Sequence, residues 1–441
     1  MSTVHLSVDT LIDARWVIPV EPAGTVLTDH TVAVANGVIV DILPSDVAHL
    51  RYVAQRHLRL DQHAVIPGLV NLHTHAAMTL MRGLRDDVNL MDWLNRYIWP
   101  TELRLVSAEF VRDGTSLACA EMMRGGITCF NDMYFFPEAA AEAALKAGMR
   151  AALGIIAVEF ATPYASDAGD YLAKGLAVRD ALRDEPLLTF CMAPHAPYSV
   201  SDATFEQVAI YAAELDLPVH LHLHETREEI QESVKKHNVR PIQRLQRLGL
   251  LGPGLIAVHA VHMEPGEIDL LAAHGCHVAH CPASNLKLAN GIAPVVALRR
   301  AGVNVGIGTD SAASNNRLDL FGELRLAALL AKGSTGDATA LPSQAVLEMA
   351  TLGAARALGL DQQIGSLVPG KRADIVAVDF SALELSPTYD PLSHLVYAAG
   401  GEHVTHVWID GQLRVEDRKV LTLDISELRA KAGYWREKIQ A

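Results

Sequence analysis

The sequence lacks the features by which membrane, secreted and disordered proteins are recognised. It contains no uncharged apolar run of about eighteen residues and does not begin with a basic segment followed by an apolar one, which argues against a transmembrane helix and a signal peptide. Low-complexity tracts are absent, and aromatic residues make up only 5% of the 441 residues although half of the chain is apolar. We therefore expect a globular, cytoplasmic protein.

Positive charge and paired cysteines are also scarce. The chain has 37 Lys and Arg against 51 Asp and Glu, a formal net charge of −14. Because nucleic acids and anionic membranes are bound by clustered cations, we expect neither as a partner. The cysteines are odd in number and form no C-x-x-C pair, so the sequence predicts neither a disulfide framework nor a cysteine zinc site. We expect buried thiols at Cys119, Cys129, Cys191, Cys276 and Cys281.

What the sequence does contain is a regular alternation of short apolar runs and helical patterns. This alternation is typical of βα units around a parallel sheet, and eight such units predict a (β/α)8 barrel of the TIM type. A doubly wound sheet is the alternative, although it rarely needs so many regular units. The predicted strands cover 64–75, 127–133, 150–158, 187–194, 218–225, 255–261, 277–283 and 303–310.

The two ends of the chain have a different pattern. Short strand-like pieces are separated by turns such as Asn36-Gly37 near the start and Asp410-Gly411 near the end. We therefore expect an α/β protein in which both termini build one small β-sandwich domain beside the barrel. The predicted boundaries are 1–62 for the N-terminal part of the sandwich, 63–362 for the barrel, and 363–441 for the C-terminal part with a terminal helix.

Polar side chains occupy several predicted strand ends, where barrel enzymes carry their active sites. The first predicted strand ends in His73 and His75, two residues apart and therefore on the same side. The eighth strand ends in Asp310, and the sixth carries His259. The fifth, PVHLHLHE, places three histidines on one face: His220, His222 and His224.

Neutral imidazoles and a carboxylate are ligands that suit zinc and similar divalent ions. Each residue has an ordinary explanation when taken alone: Asp310 could cap the turn that follows it, and His259 could bond a backbone carbonyl. That side chains able to bind a metal occur at several separate strand ends by coincidence is the less economical explanation. We therefore predict a metal site built from the first strand, one histidine of the fifth strand, and Asp310.

A divalent ion in this setting lowers the pKa of its bound water and makes hydrolysis possible at neutral pH. Glu225 follows the fifth strand and is predicted to shuttle protons to the leaving atom. His259 is predicted to hold the attacking water, and Asp310 to accept its proton. These three residues, Glu225, His259 and Asp310, are the predicted catalytic groups.

The ordered set of these motifs resembles the amidohydrolase superfamily over nearly the whole chain. Because the fourth predicted strand, LLTFCMAPHAPYS, has no lysine, the chain is most similar to the mononuclear deaminase branch. The resemblance implies one divalent ion per subunit, expected to be zinc with iron or manganese as alternatives, held by His73, His75, His222 and Asp310. The motifs that carry the resemblance are IPGLVNLHTH, HLHET, AVHAVH, HCPASNLKLANGIAPV, GIGTDSAASNNRLDLFGELR and GSLVPGKRADIVAVD.

Within this branch the sequence is closest to the 5-methylthioadenosine/S-adenosylhomocysteine deaminases. The segment MDWLNRYIWPTE matches their substrate-side pattern, which implies that Glu102 binds the ribose hydroxyls, that Trp93 packs near the 5′ substituent, and that His195 meets the purine. The expected substrate is a small nucleoside, and the expected assembly is a homo-oligomer, either a dimer or a tetramer. The expected reaction is hydrolytic deamination at purine C6.

The segment after the third predicted strand departs from this pattern. Relatives that accept S-adenosylhomocysteine can carry arginines there, whereas LGIIAVEFATPYASDAGDYLAKG has only Lys174 as a cation. This favours methylthioadenosine or adenosine as the substrate and leaves S-adenosylhomocysteine as a third, less favoured one. The alternatives are a guanine, 8-oxoguanine or triazine aminohydrolase with the same fold and, with less support, a non-catalytic binding relative. We expect His220, His224 and His262 to have structural roles or to orient the metal ligands.

Overall fold

The predicted apolar runs form the eight parallel strands of a barrel, and both ends of the chain contribute to a second sheet. The computed structural model describes residues 6–441. The strands before the barrel are β1 (Leu6–Val17), β2 (Leu27–Ala35), β3 (Val38–Pro44) and β4 (Tyr52–Pro67). The barrel strands are β5 (Leu69–Thr74), β6 (Ile127–Asp132), β7 (Arg150–Ala157), β8 (Leu188–Pro194), β9 (Val219–Leu223), β10 (Leu255–His259), β11 (His277–His280) and β12 (Asn304–Ile307). The strands after it are β13 (Ile375–Asp379), β14 (Val404–Ile409), β15 (Gln412–Glu416) and β16 (Lys419–Val420).

Helices connect the barrel strands and complete the chain. They are α1 (Ser45–Arg51), α2 (Leu90–Trp93), α3 (Trp99–Leu105), α4 (Ala108–Arg124), α5 (Pro137–Ala147), α6 (Ala168–Leu182), α7 (Asp202–Leu215), α8 (Arg227–His237), α9 (Pro241–Arg247), α10 (Pro265–Ala273), α11 (Pro282–Lys287), α12 (Val295–Arg300), α13 (Leu320–Thr335), α14 (Ser343–Met349), α15 (Leu352–Ala357), α16 (Pro391–Tyr397) and α17 (Ile425–Gln440). Between residues 6 and 441, no helix has both the length and the apolar character needed to cross a membrane.

The barrel strands pair in chain order from β5 to β12, and every pair is parallel. The barrel closes where the backbone N–H of Asp310 donates to the carbonyl of His73 at 3.0 Å. Gly308 permits this approach, because a Cβ there would lie 2.8 Å from the backbone nitrogen of His73. The closure confirms the (β/α)8 fold and places the first and last predicted metal-site strands side by side.

The second sheet joins the two ends of the chain, as predicted for the β-sandwich domain. Its order is β16-β15-β14-β13-β4-β1-β2-β3, so the N- and C-terminal halves meet where β4 pairs with β13. The Asn36-Gly37 and Asp410-Gly411 turns both have positive φ, as tight hairpins require. The two turns also touch each other, since a Cβ on Gly411 would lie 2.5 Å from the Cα of Gly37.

The first predicted run, 64–75, is divided between the two sheets. Pro67 pairs with Ile375 in the sandwich sheet, whereas Leu69 pairs with Ile127 in the barrel. A Cβ on the intervening Gly68 would lie 2.0 Å from the Thr128 side chain, so the chain passes close to β6 as it changes sheets. We therefore propose the boundary between the domains after Pro67 rather than after residue 62.

The terminal helix packs on the barrel rather than on the sandwich sheet. The indole N–H of Trp435 in α17 donates to Asp113 of α4 at 2.9 Å, and Lys431 forms an ion pair with the same carboxylate at 2.8 Å. Trp435 is only 2% exposed, so α17 covers apolar surface of a barrel helix. All five cysteines are buried free thiols, as the sequence predicts.

Candidate active site

The predicted metal-site side chains of β5 and the loop after β12 converge on one point. The Nε2 atoms of His73 and His75 lie 3.3 and 3.4 Å from Oδ1 of Asp310. Ligand atoms at about 2.0–2.1 Å from a tetrahedral zinc ion are about 3.3 Å apart, so these separations leave room for an ion between them. The Nε2 atom of His73 is buried and has no hydrogen-bond partner in the described chain. These observations fit a divalent metal ion.

Each histidine is oriented through its other ring nitrogen. Nδ1 of His75 bonds the carbonyl of Met133 at 2.6 Å, and Nδ1 of His222 bonds the carbonyl of His195 at 2.8 Å. These bonds direct both Nε2 atoms toward the centre of the site. Such contacts fix the tautomer and the ring direction of a metal ligand before the metal arrives.

His73 is oriented by another histidine rather than by a carbonyl. Its Nδ1 lies 2.9 Å from Nε2 of His220, and both side chains are fully buried. His224 leaves this pattern because its φ is +55°, and its ring contacts the backbone of Ile242 and His262 instead. The alternation of strand β9 therefore holds for His220 and His222 and ends at His224.

Asp310 is held at the site by hydroxyls from its own loop and from helix α11. One carboxylate oxygen, Oδ2, accepts hydrogen bonds from the hydroxyls of Ser284 at 2.6 Å and Ser314 at 2.9 Å. The other, Oδ1, faces the histidines. Burial alone would raise the pKa of Asp310, but the His73 imidazole, whose Nε2 lies 3.3 Å from Oδ1, holds it well below its usual value. Asp310 is therefore a carboxylate, as a metal ligand or a proton acceptor must be.

A second group of ligand atoms overlaps the first. His73, His222 and His259 also lie within ligating distance of one another, so the two groups share His73. Nδ1 of His259 bonds Oδ1 of Asn285 at 2.8 Å, which turns Nε2 toward the site. Nε2 of His259 is close enough to the other imidazoles to act as a ligand, and holding a water molecule stays a prediction for this residue.

Burial keeps the site histidines neutral, with their lone pairs available. It lowers the pKa of His73 to about 4 and that of His195 to about 3. The carboxyl of Glu225 shows the opposite effect: burial, and then the charge of Asp310, raise its pKa to about 8. Asn290 donates to this carboxyl at 2.9 Å. Burial therefore favours the protonated form of the Glu225 carboxyl, whose Oε1 lies 3.7 Å from Nε2 of His259.

A further His/Asp group lies on the sandwich domain, and it differs from the barrel site. Nε2 of His49 and of His57 lie 3.0 and 2.7 Å from Oδ2 of Asp13. These are direct hydrogen bonds, shorter than the separation of about 3.3 Å expected around a zinc ion. Both histidines are also about one-third exposed. We interpret this group as a surface ion-pair cluster.

The pocket next to the barrel site brings together the predicted substrate residues. Trp93, Glu102 and His195 line the same cavity as Glu225 and Asp310. Nδ1 of His195 bonds the hydroxyl of Ser199 at 2.8 Å. Most other lining side chains are apolar, and none of those described is a lysine or an arginine.

Two lining residues were not found by sequence analysis. The hydroxyl of Tyr134 donates to Oε1 of Glu102 at 2.7 Å, and burial raises the pKa of Glu102 to about 7 against this bond. Tyr134 lies two residues after the end of β6, so its position at a strand end was a signal that could have been used. Trp99 lines the pocket beside Glu102 and lies 5.9 Å from Phe160, ring centre to ring centre.

A family model described as "Amidohydrolase family" matches residues 64–414. The chain belongs to the amidohydrolase family. The match covers the whole barrel, the strands β13 and β14 of the sandwich sheet, and the start of β15.

The amidohydrolase has close relatives whose names agree with the resemblance seen in its sequence. It is 47% identical to the 5-methylthioadenosine/S-adenosylhomocysteine deaminase of Teredinibacter turnerae, over 99% of this chain and 98% of that protein. The corresponding protein of Saccharophagus degradans is 46% identical over 98% of this chain and 97% of its own. The resemblance to this group of deaminases is thereby confirmed.

A solved structure extends the comparison to three dimensions. The crystal structure of an adenosine deaminase from Xanthomonas campestris, with bound zinc, superimposes with a TM-score of 0.98. It is 49% identical and covers 99% of this chain and 100% of its own. The barrel with its added sheet is therefore the fold of this amidohydrolase. The relative that shares this fold was crystallised with bound zinc.

Proposed function

We propose that the protein is a metal-dependent enzyme that hydrolytically deaminates an adenosine-type nucleoside at purine C6, with 5′-methylthioadenosine as the favoured substrate and adenosine as a second. The products are the inosine analogue and ammonia. One observation carries the proposal: a single pocket holds the buried carboxyl of Glu225 beside the His/Asp cluster and a second, partly buried carboxyl, Glu102, on helix α3. The carboxyl of Glu225 is suited to proton transfer, and that of Glu102 is suited to binding the hydroxyls of a ribose.

The metal would be held by His73, His75, His222 and Asp310, whose donor atoms are neutral imidazoles and one carboxylate. A bound divalent ion supplies a water molecule of lowered pKa at this place. We propose zinc as this ion, since the relative from Xanthomonas campestris was crystallised with zinc. Iron and manganese are the alternatives for the same donor set.

The protein side chains would move the protons. Glu225 donates its proton to purine N1, which makes C6 electrophilic, and His259 with Asp310 positions the attacking water. The water oxygen bonds to C6 while its proton passes to Asp310. The tetrahedral intermediate then breaks its C6–N bond, and the amino group leaves as ammonia with a proton delivered by way of Asp310 and Glu225. One water is consumed, and one ammonia is released.

Glu102 would bind the nucleoside through its sugar. A carboxylate accepts hydrogen bonds from two neighbouring hydroxyls, and Tyr134 holds one of its oxygens in place. His195, turned by Ser199, would contact the purine, and Trp93 would pack against the nucleoside. The absence of cations among the described lining residues favours a substrate with an uncharged 5′ substituent.

The test is ammonia release from a panel of methylthioadenosine, adenosine, S-adenosylhomocysteine, guanine, cytosine and a triazine. We expect the nucleosides to react fastest and Glu225→Gln to lower kcat about 10²–10⁴-fold, because general acid catalysis is lost. Elemental analysis should find the same metal content in this variant. The control is Glu232→Gln, an exposed position on α8.

Other outcomes would contradict the proposal in different ways. A free base or a triazine as the best substrate would assign the pocket to the alternative aminohydrolase reactions, which do not need Glu102. No turnover with any member of the panel would favour a binding protein.

We also infer that the protein forms a homo-oligomer, either a dimer or a tetramer. We place it in the cytoplasm, without a nucleic-acid or membrane partner. Light scattering tests the assembly.

A further inference from the structure

A second cavity continues from the substrate pocket past Glu102. It has a volume of about 150 Å³. The two cavities share Glu102 and three aromatic walls: Trp99, Phe135 and Phe160. We call this second cavity the side chamber. Leu103, Val106, Thr162 and Pro163 complete its lining.

The side chamber is apolar apart from the carboxyl at its mouth. Its other polar group, the Thr162 hydroxyl, is already bonded to the hydroxyl of Tyr171 and the backbone N–H of Tyr164. Two large apolar side chains at the rim remain accessible, Leu103 at 57% and Phe160 at 41%. A ligand group that covers them would gain the free energy of apolar burial.

The position of Glu102 connects this chamber to the 5′ end of a nucleoside. In a ribose, C5′ is separated from the 3′-hydroxyl oxygen by only two ring carbons. A sugar whose hydroxyls are held by Glu102 therefore has its 5′ substituent within reach of the chamber. Trp99, not Trp93, contributes the tryptophan wall there.

We propose that the side chamber is the subsite for the 5′ substituent and that it selects adenosines with apolar 5′-alkylthio groups longer than methyl. This inference rests on the proposed function. The zwitterionic amino-acid end of S-adenosylhomocysteine would enter an apolar space that offers no cation for its carboxylate and carries Glu102 at its mouth. Burying it there would cost free energy.

An arginine, Arg227, lines a different cavity that adjoins the substrate pocket. Arg227 lines a polar cavity together with Asn290, the residue that donates to Glu225. That cavity meets the substrate pocket at Leu90 and Leu288, not at Glu102. A carboxylate bound by Arg227 would therefore lie on the Glu225 side of the pocket, away from the ribose hydroxyls.

The test compares kcat/KM for 5′-methylthio-, 5′-ethylthio- and 5′-butylthioadenosine and S-adenosylhomocysteine with the metal-loaded enzyme. We expect kcat/KM to rise about two- to fourfold per added methylene, since about fourfold corresponds to 0.8 kcal/mol for a fully buried methylene. S-adenosylhomocysteine should fall about tenfold or more below the butylthio compound. A flat or falling alkyl series would overturn the inference, as would S-adenosylhomocysteine matching the butylthio compound.

A charge placed in the chamber wall provides the second measurement. Leu103→Glu should lower the ratio of kcat/KM for butylthio- over methylthioadenosine about tenfold or more, because a carboxylate would face the alkyl chain. The control is Ile210→Glu on α7, which is 55% exposed and outside both cavities. An unchanged ratio in Leu103→Glu would overturn the assignment of the chamber.

The two proposals fail in distinguishable ways. If methylthioadenosine is deaminated and the alkyl series falls, the chamber assignment is wrong and the deaminase proposal stands. If S-adenosylhomocysteine reacts best and Arg227→Ala removes that preference, the 5′ group occupies the other cavity. If no adenosine derivative reacts, the deaminase proposal is wrong, and the chamber inference is overturned with it.

Discussion

His220 is expected to control metal affinity without touching the metal. If Nε2 of His73 binds the ion, Nδ1 of His73 carries the proton and donates it to Nε2 of His220, 2.9 Å away. His220→Phe keeps an aromatic ring at this fully buried position and removes the acceptor. Loss of such an orienting partner typically weakens metal binding about 10–100-fold, which is about 1.4–2.7 kcal/mol.

The structure also indicates that the variant will fold. Leaving the Nδ1–H of His73 without a partner costs about 1–3 kcal/mol. The substitution, however, removes the Nδ1 of His220, a buried atom that has no partner in the described chain. The two effects oppose each other, so the net change in the free energy of unfolding should be small compared with a total of about 5–15 kcal/mol.

The assay is a competition titration of zinc between the protein and a chromogenic chelator. His277→Phe is the matched control, because His277 is a buried barrel-strand histidine that bonds the carbonyl of Pro253 and the side chain of Asn304. We expect weaker zinc binding in His220→Phe, partial recovery in His220→Gln, and wild-type binding in His277→Phe. Equal zinc affinity in wild type and His220→Phe, or an equal loss in the control, would refute the reasoning.

Three further predictions concern the substrate carboxyl, the metal and the junction of the two domains. Burial raises the pKa of Glu102 to about 7, so KM for methylthioadenosine should increase as the pH falls below about 7 and this carboxylate is protonated. Tyr134→Phe removes a hydrogen bond that lowers the pKa of Glu102, so the increase in KM should begin at a higher pH in this variant. A KM that does not change with pH would argue against Glu102 as the ribose acceptor. Dialysis against a chelator should abolish ammonia release while leaving the circular dichroism spectrum unchanged, since protein hydrogen bonds already orient the ligands, and added zinc, iron or manganese should restore activity; full activity after verified metal removal would contradict the metal site. Asp374→Asn should lower the free energy of unfolding in urea by about 1.5–3 kcal/mol, because it removes the nearer carboxylate, 3.2 Å away, from the buried guanidinium of Arg150 and leaves only Asp410 at 3.4 Å. An effect below about 1 kcal/mol would show that this pair does not join barrel to sandwich.

Features that depend on neighbouring residues were predictable from the sequence. The alternation of side chains along a strand places His73 with His75 and His220 with His222, and the structure keeps both pairs together at the barrel site. The glycine turns at Gly37 and Gly411 were also local signals. The order of βα units predicted the barrel, because a parallel sheet of eight such units closes on itself.

Features that depend on contacts between distant parts of the chain were not predictable. Periodicity could not show that residues up to Pro67 remain in the sandwich sheet, because a strand that passes from one sheet to another is apolar throughout. Nor could it choose among the histidines of β9: the choice follows from His220 facing His73 and from the positive φ of His224.

The sequence by itself determined the type of fold and the chemical identity of the site, since strand alternation and the kinds of side chain at strand ends are local properties. The tertiary structure decided which side chains meet. Closure of the barrel brings Asp310 within 3.3 Å of His73. Packing of α3 beside the loop after β6 brings the hydroxyl of Tyr134 within 2.7 Å of Glu102. The side chamber beside Glu102 was likewise invisible in the sequence, because its walls come from α3 and from loops after β6 and β7 that are adjacent only in the folded chain.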